Sequence, residues 1–161
     1  RLCEACNHSV SIGGKHVRPT LFYGAQRAVD SGAPASIEHA AAALELIHTY
    51  SLIHDDLPAM DDDDMRRGKP SLHVAYDEAT AILVGDGLQA RAFELLADAS
   101  GLTDTQKVRM IKVLAHAAGP AGMVVGQYIY IQATESEKTL EEQQTMHSLK
   151  TGEMIRASVA L

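Results

Sequence analysis

Residues 36–57 constrain this chain more than any other stretch, because they read as a helix with no polar side until its last turns. Residues 40–44, Leu46, Ile47, Tyr50, Leu52 and Ile53 are apolar nearly all round. Ser36 is a candidate cap, and Pro58 ends the pattern. Such a helix belongs in the middle of a bundle. It nevertheless carries His48 and runs straight into His54, Asp55 and Asp56, groups that burial penalises unless something satisfies them.

Charge is denser still past the end of this helix. Residues 54–69 read HDDLPAMDDDDMRRGK: six aspartates (Asp55, Asp56, Asp61, Asp62, Asp63, Asp64), then Arg66, Arg67 and Lys69. Two carboxylates about 4 Å apart cost each other roughly 4 kcal/mol at an effective dielectric near 20. A bound cation removes that cost. Hard oxygen ligands favour Mg²⁺ or Ca²⁺ over zinc or copper, and Mg²⁺ characteristically takes one or two carboxylates plus substrate phosphates. The paired arginines suit phosphate oxygens, which a guanidinium fork matches bidentately. The bland alternative is a solvated acidic loop and a basic turn. Asp55 and Asp61 are six apart and on an ideal helix point about 120° apart, so they share a metal cluster only if Pro58-Ala59 deforms the backbone. His48 and Asp55, seven apart, project from one side two turns apart; the alternative for His48 is a core histidine bonded to backbone.

No segment alternates apolar and polar residues convincingly, and the periodicity is helical, so the fold class is all-α. Helices are expected over 1–12, ended by Gly13-Gly14; over 18–29, stopped by turn signals at 30–34; over 36–57; and over 74–98, 104–118, 120–133 and 139–161. Residues 59–72 read as a loop and 135–138 as a polar loop. Gly85 and Gly87 inside the fourth helix suggest close helix–helix approach. Gly13-Gly14 lets backbone approach a ligand, and Lys15 and Arg18 can face one side of a helix, enough to hold an anion or simply to be solvated. Lys150-Thr151-Gly152 alone carries little specificity; an exposed lysine on an amphipathic helix is its ordinary reading.

A length of 161 residues makes one domain or a piece of one. A net charge of −7 argues against nucleic acid as the main partner. Cys3 and Cys6 have no second pair to make a zinc site or disulfide framework, and the cytoplasm is the expected compartment. Residues 113–134 hold no formal charge and are long enough to span a bilayer, but His116, Gly119-Pro120, Gly122, Gly126, Gln127 and Gln132 favour buried helices over a membrane span. The chain starts at Arg1 and stops at Leu161 inside a helical pattern, so both ends read as cut.

DDLPAMDDDDMRRGKPSLH resembles the first aspartate-rich motif, DDxxxxD followed by RRG, of the trans-prenyltransferases, and most resembles bacterial farnesyl diphosphate synthases. Other family motifs stand in family order. Residues 13–19, GGKHVRP, are similar to GGKRxRP with His16 for the usual arginine. Gly85-Asp86 matches a GD pair, Gly126-Gln127 a GQ pair and Lys150-Thr151 a KT pair.

The resemblance implies an isoprenoid-synthase bundle around a central cavity. It implies that Asp55 and Asp61 bind Mg²⁺ (about three ions in the family, with Mn²⁺ as a substitute) bridging the diphosphate of an allylic substrate. Arg66 and Lys150 would also hold that diphosphate. Lys15, Arg18, His48 and Arg67 would hold isopentenyl diphosphate. Gln127, Lys150 and Thr151 would line the reacting carbons. Tyr50, five residues before Asp55, stands where the family places a bulky floor, which with the Pro58-Ala59 insertion favours a fifteen-carbon product; it also reads simply as a core aromatic. Asp86 reads as structural. A homodimer is expected on the same ground.

Two features depart from the pattern. The second aspartate-rich motif, DDxxD, does not follow residue 64, so residues 1–161 read as a single incomplete synthase domain. The usual GQxxD is here Gly126-Gln127 followed by Tyr130 in place of the aspartate. The leading expectation is a farnesyl diphosphate synthase. The alternatives are a geranyl or geranylgeranyl diphosphate synthase, a catalytically silent synthase-like binding subunit, and an acidic helical scaffold.

Overall fold

The computed structural model describes residues 1–29, 37–133 and 139–161. Nine α-helices are described: α1 (Leu2–Val10), α2 (Val17–Val29), α3 (Ile37–Asp55), α4 (Leu72–Ala75), α5 (Glu78–Ala97), α6 (Asp104–Ala118), α7 (Met123–Ala133), α8 (Leu140–His147) and α9 (Glu153–Ala160). A π-helical turn, Ser148–Gly152, joins α8 to α9. The all-α expectation holds, and so do the helices at either side of Gly13-Gly14. The expected Ser36 cap, the turn signals at 30–34 and the polar loop at 135–138 lie outside the described residues.

α3 is the centre. Ala40, Ala41, Ala43, Leu44, Ile47, Tyr50 and Ile53 are buried on it, facing in nearly every direction as the sequence requires. Its main partner is α5; α2 also packs on it, and α9 packs on α2 and α6. The four alanines at 40–43 keep the first turns of α3 slim, while Leu44 and Ile47 fill the core beside Val84, Leu88, Leu96 and Leu114.

Three expectations are corrected. The helix expected over 74–98 is two helices: Tyr76 leaves helical geometry at φ −127°, ψ −84°, and the Asp77 carboxylate accepts from the Thr80 amide at 2.6 Å to start α5 afresh. The expected loop over 59–72 contains a two-stranded antiparallel hairpin, β1 (Met65–Arg66) and β2 (Lys69–Pro70), with Arg66 opposite Lys69. Its two-residue turn has positive φ at both Arg67 (54°) and Gly68 (79°), the requirement of a type I′ turn. Third, only one of the two glycines in α5 meets a neighbour. A Cβ on Gly85 would overlap the His54 ring, whereas one on Gly87 would meet nothing within 4 Å. His54 Nε2 donates to Ile82 O across that contact at 3.1 Å.

The segment Asp104–Gln132 is long and apolar enough to cross a membrane by length and composition. The structure divides it at residues 119–122 into α6 of 15 residues and α7 of 11, each shorter than the roughly 20 a spanning helix needs.

The two α5 glycines make a matched test. Gly85→Ala is expected to lower stability by about 1–3 kcal/mol by driving out the His54 ring. Gly87→Ala is expected to raise it by up to about 1 kcal/mol through helix propensity alone. Chemical-denaturation midpoints of the two variants, measured against the parent, check both signs.

Candidate functional site

The C-terminal end of α3 is where the buried helix meets its charges, and the loop after it has to turn sharply. Leu57 N bonds to His54 O, Met60 N to Leu57 O, and Asp61 N reaches back to Asp55 O at 2.8 Å. That last bond closes seven residues, 55–61, into one compact turn with Pro58 and Ala59 at its exposed tip. It brings Asp55 and Asp61 to one place, which an ideal helix would not do. Asp62 takes φ 54° to continue the turn.

A cavity of about 440 Å³ opens beside this turn. Asp55, Lys150, Thr151 and Gln127 line it with His48, Arg18 and Tyr50, and Met60, Met123 and Ile131 give it an apolar wall. The Gln127 amide nitrogen donates to Asp61 Oδ1 at 3.4 Å, and Lys150 Nζ stands 3.9 Å from Asp61 Oδ2. Burial above all, opposed by Lys150 and reinforced by Asp61 and Asp56, raises the Asp55 carboxyl to about 6. Two carboxylates whose ionised forms resist each other make a donor set for a hard divalent cation. Gln127 Oε1, buried and without a hydrogen-bond partner among the described residues, adds another unspent oxygen. No group of three His, Cys, Asp or Glu side chains among the described residues forms a closed metal cage. A cation here would need ligands from its substrate, which is how Mg²⁺ is ordinarily held.

The second constellation is cationic. Burial, then Arg18, Arg67, Arg66 and His16 in that order, hold the His48 imidazole down at about 4, so it is neutral at physiological pH. Burial also lowers the Arg18 guanidinium, partly offset by Glu45, and Arg18 Nε is buried without a partner among the described residues. A neutral imidazole amid several cations, with an unspent buried N–H, fits an anion. His16, the departure at 13–19, has its Nδ1 3.2 Å from Glu45 Oε1 and adopts φ 45°.

Three expected residues stand elsewhere. Arg66 does not line the cavity: its Nε bonds both Asp56 carboxylate oxygens at 3.0 and 3.1 Å, its Nη2 bonds Asp56 Oδ1, and the same nitrogen reaches Asp63 Oδ2 at 3.2 Å. Asp56 is 2% exposed, so this guanidinium serves a buried carboxylate. Arg67 is exposed, and its guanidinium occupies the space where a Cβ on Gly14 would sit. The second glycine at 13–14 therefore admits a protein side chain, where a ligand was expected; Gly13 supplies positive φ at 79°. Lys15 is exposed and does not line the cavity. Asp56 as the partner of Arg66, and the Met60, Met123 and Ile131 wall, were not singled out from sequence.

Lys150 sits in the π-helical turn. Gly126 of α7 faces its backbone so closely that any Cβ there would overlap Lys150 N and Cα, which explains a glycine at that helix position.

Because Asp55 is raised from 3.8 to about 6, the folded chain binds more protons than the unfolded one across that window, so its stability falls as pH rises through it. Asp55→Asn removes this slope. Without divalent cations the variant is expected to be more stable than the parent at neutral pH, by up to about 3 kcal/mol, and the two converge at pH values below the window. Denaturation midpoints taken across the window check it.

A family model described as polyprenyl synthetase matches residues 1–161. The farnesyl diphosphate synthase of Haemophilus influenzae is 44% identical over 160 residues, covering 99% of this chain and 54% of that enzyme. The crystal structure of a geranyltransferase from Legionella pneumophila superposes with a TM-score of 0.93 at 47% identity, over 98% of this chain and 56% of that one. A geranyltransferase from Helicobacter pylori, solved in complex with magnesium and isoprenyl diphosphate, superposes at 0.91 and 40% identity over 98% of this chain and 54% of that one. The chain thus spans about half the length of the relatives it matches. A family match along every residue, with this bundle and this pair of constellations, places the chain in the polyprenyl synthetase family.

Proposed function

We propose that the protein containing this chain is a Mg²⁺-dependent short-chain prenyl diphosphate synthase, joining an allylic diphosphate (dimethylallyl or geranyl) to isopentenyl diphosphate to give farnesyl diphosphate. One observation carries the reading: an apolar-walled cavity has Asp55 and Lys150 on one side, with Asp61 beside Lys150, and the Arg18–His48 anion site on another. Two diphosphates of opposite roles need two such ends.

Asp55 and Asp61 hold the metal in this proposal, and Mg²⁺ when bound supplies positive charge to the leaving diphosphate. Lys150 donates to that diphosphate from beside Asp61. Arg18, neutral His48 and Arg67, with Lys15, hold isopentenyl diphosphate in this proposal. Arg66 acts by fixing Asp56 and leaves direct phosphate binding to the others. Gln127 and Thr151 line the space where the allylic carbon–oxygen bond breaks and the new carbon–carbon bond forms. The proton lost from the isopentenyl unit goes to the released diphosphate. Met60, Met123 and Ile131 keep water from the allylic cation. A homodimer in the cytoplasm completes the reading, on the strength of the resemblance.

Tyr50 is the proposed floor. It is 6% exposed, lines the cavity and stands edge-on to His54 with ring centroids 5.7 Å apart.

The test uses the whole protein with geranyl diphosphate, isopentenyl diphosphate and Mg²⁺, and reads product length. A fifteen-carbon product dependent on Mg²⁺ is expected; a twenty-carbon product keeps the chemistry and overturns the floor, and absence of transfer overturns the reading. Tyr50→Ala is expected to shift the product to longer chains while costing about 3–5 kcal/mol of stability, as buried aromatic truncations do.

A further inference from the structure

α7 presents two side chains to the site from positions three apart, Gln127 and Tyr130, which share a helix side. Gln127 engages Asp61. Tyr130 engages Lys150: the ammonium nitrogen lies 3.6 Å from the centroid of the phenol ring. The same nitrogen is 3.9 Å from Asp61 Oδ2, so the lysine is held between an aromatic face and a carboxylate. A cation over a ring at this range is attracted to the ring's negative face and keeps its full charge.

We propose that Tyr130 is a positioning residue: its ring face holds the Lys150 ammonium at the carboxylate end of the cavity, where an incoming diphosphate would meet it. The backbone supports this arrangement independently. Lys150 belongs to the π-helical turn, and its main chain is fixed against Gly126, one turn before Tyr130 on α7. With the main chain held, the four-carbon stem is what still has to be directed, and the ring face directs it. The diphosphate part of this inference rests on the synthase reading; the placement of Lys150 by Tyr130 does not.

The experiment separates the two. In the whole protein, lysines are reductively ¹³C-methylated, which keeps their charge, and the Lys150 methyl signal is assigned with Lys150→Arg. In the parent and in Tyr130→Phe the methyl protons are expected upfield, shifted by the ring. In Tyr130→Leu, or Tyr130→Met should the leucine variant not fold, that shift is expected to be lost. The second arm measures KM for geranyl diphosphate, with Mg²⁺ and saturating isopentenyl diphosphate. Tyr130→Phe is expected within about twofold of the parent and the ring-free variant raised about fivefold, the range of a partly exposed cation–π contact. An upfield shift that survives ring removal overturns the proposal, as does equal KM in the phenylalanine and ring-free variants. A parent that places Lys150 upfield but transfers no prenyl group overturns the synthase reading alone.

Discussion

The pairing of Arg66 with Asp56 is the interaction on which the site's arrangement depends. Asp56 follows the central, largely buried helix α3 and is 2% exposed, so its carboxylate would be costly without a partner. Burial raises it and the Arg66 hydrogen bonds oppose that rise. The guanidinium comes from a hairpin ten residues on, so satisfying one carboxylate fixes the whole intervening loop. With both ends pinned, Asp55 and Asp61 are left on the cavity side, and the next residue, Arg67, is directed the other way onto Gly14. One ion pair therefore separates metal-type chemistry from anion-type chemistry along a dozen residues.

The two constellations are tuned in opposite senses by the same burial. Desolvation makes Asp55 reluctant to ionise and makes His48 reluctant to protonate. Without ligands the cavity is less charged than its residue list suggests. A cation at the first end would favour the ionised Asp55 carboxylate.

The fold class was legible because α3 could be nothing but a central helix and because no stretch alternated. The break at Tyr76–Asp77 was not, since helical periodicity continues across it and only the Asp77–Thr80 spacing marks a cap. The hairpin was hidden because its left-handed pair is Arg67-Gly68, where Asn or Asp would have announced the turn. Within the site, the six-residue spacing of Asp55 and Asp61 correctly required a deformed backbone. Which of six aspartates would take Arg66 was not legible, because Asp56, Asp63 and the others differ only in burial, a tertiary property. Nor could Tyr130 be assigned a contact until α7 and the π-helical turn were seen side by side.

That turn has a bearing on how the chain keeps phase. Met146 and Met154 are both buried yet eight residues apart, a spacing that in a straight α-helix leaves them about 80° out of step. The wider turn at Ser148–Gly152 absorbs the surplus and returns both to the core. A helix one residue shorter would achieve the same alignment with ordinary hydrogen bonds, at about 20° of error. The bundle therefore has no need of the additional residue. It is a lengthening that the packing tolerates, and what it alters is the direction in which Lys150 leaves the backbone.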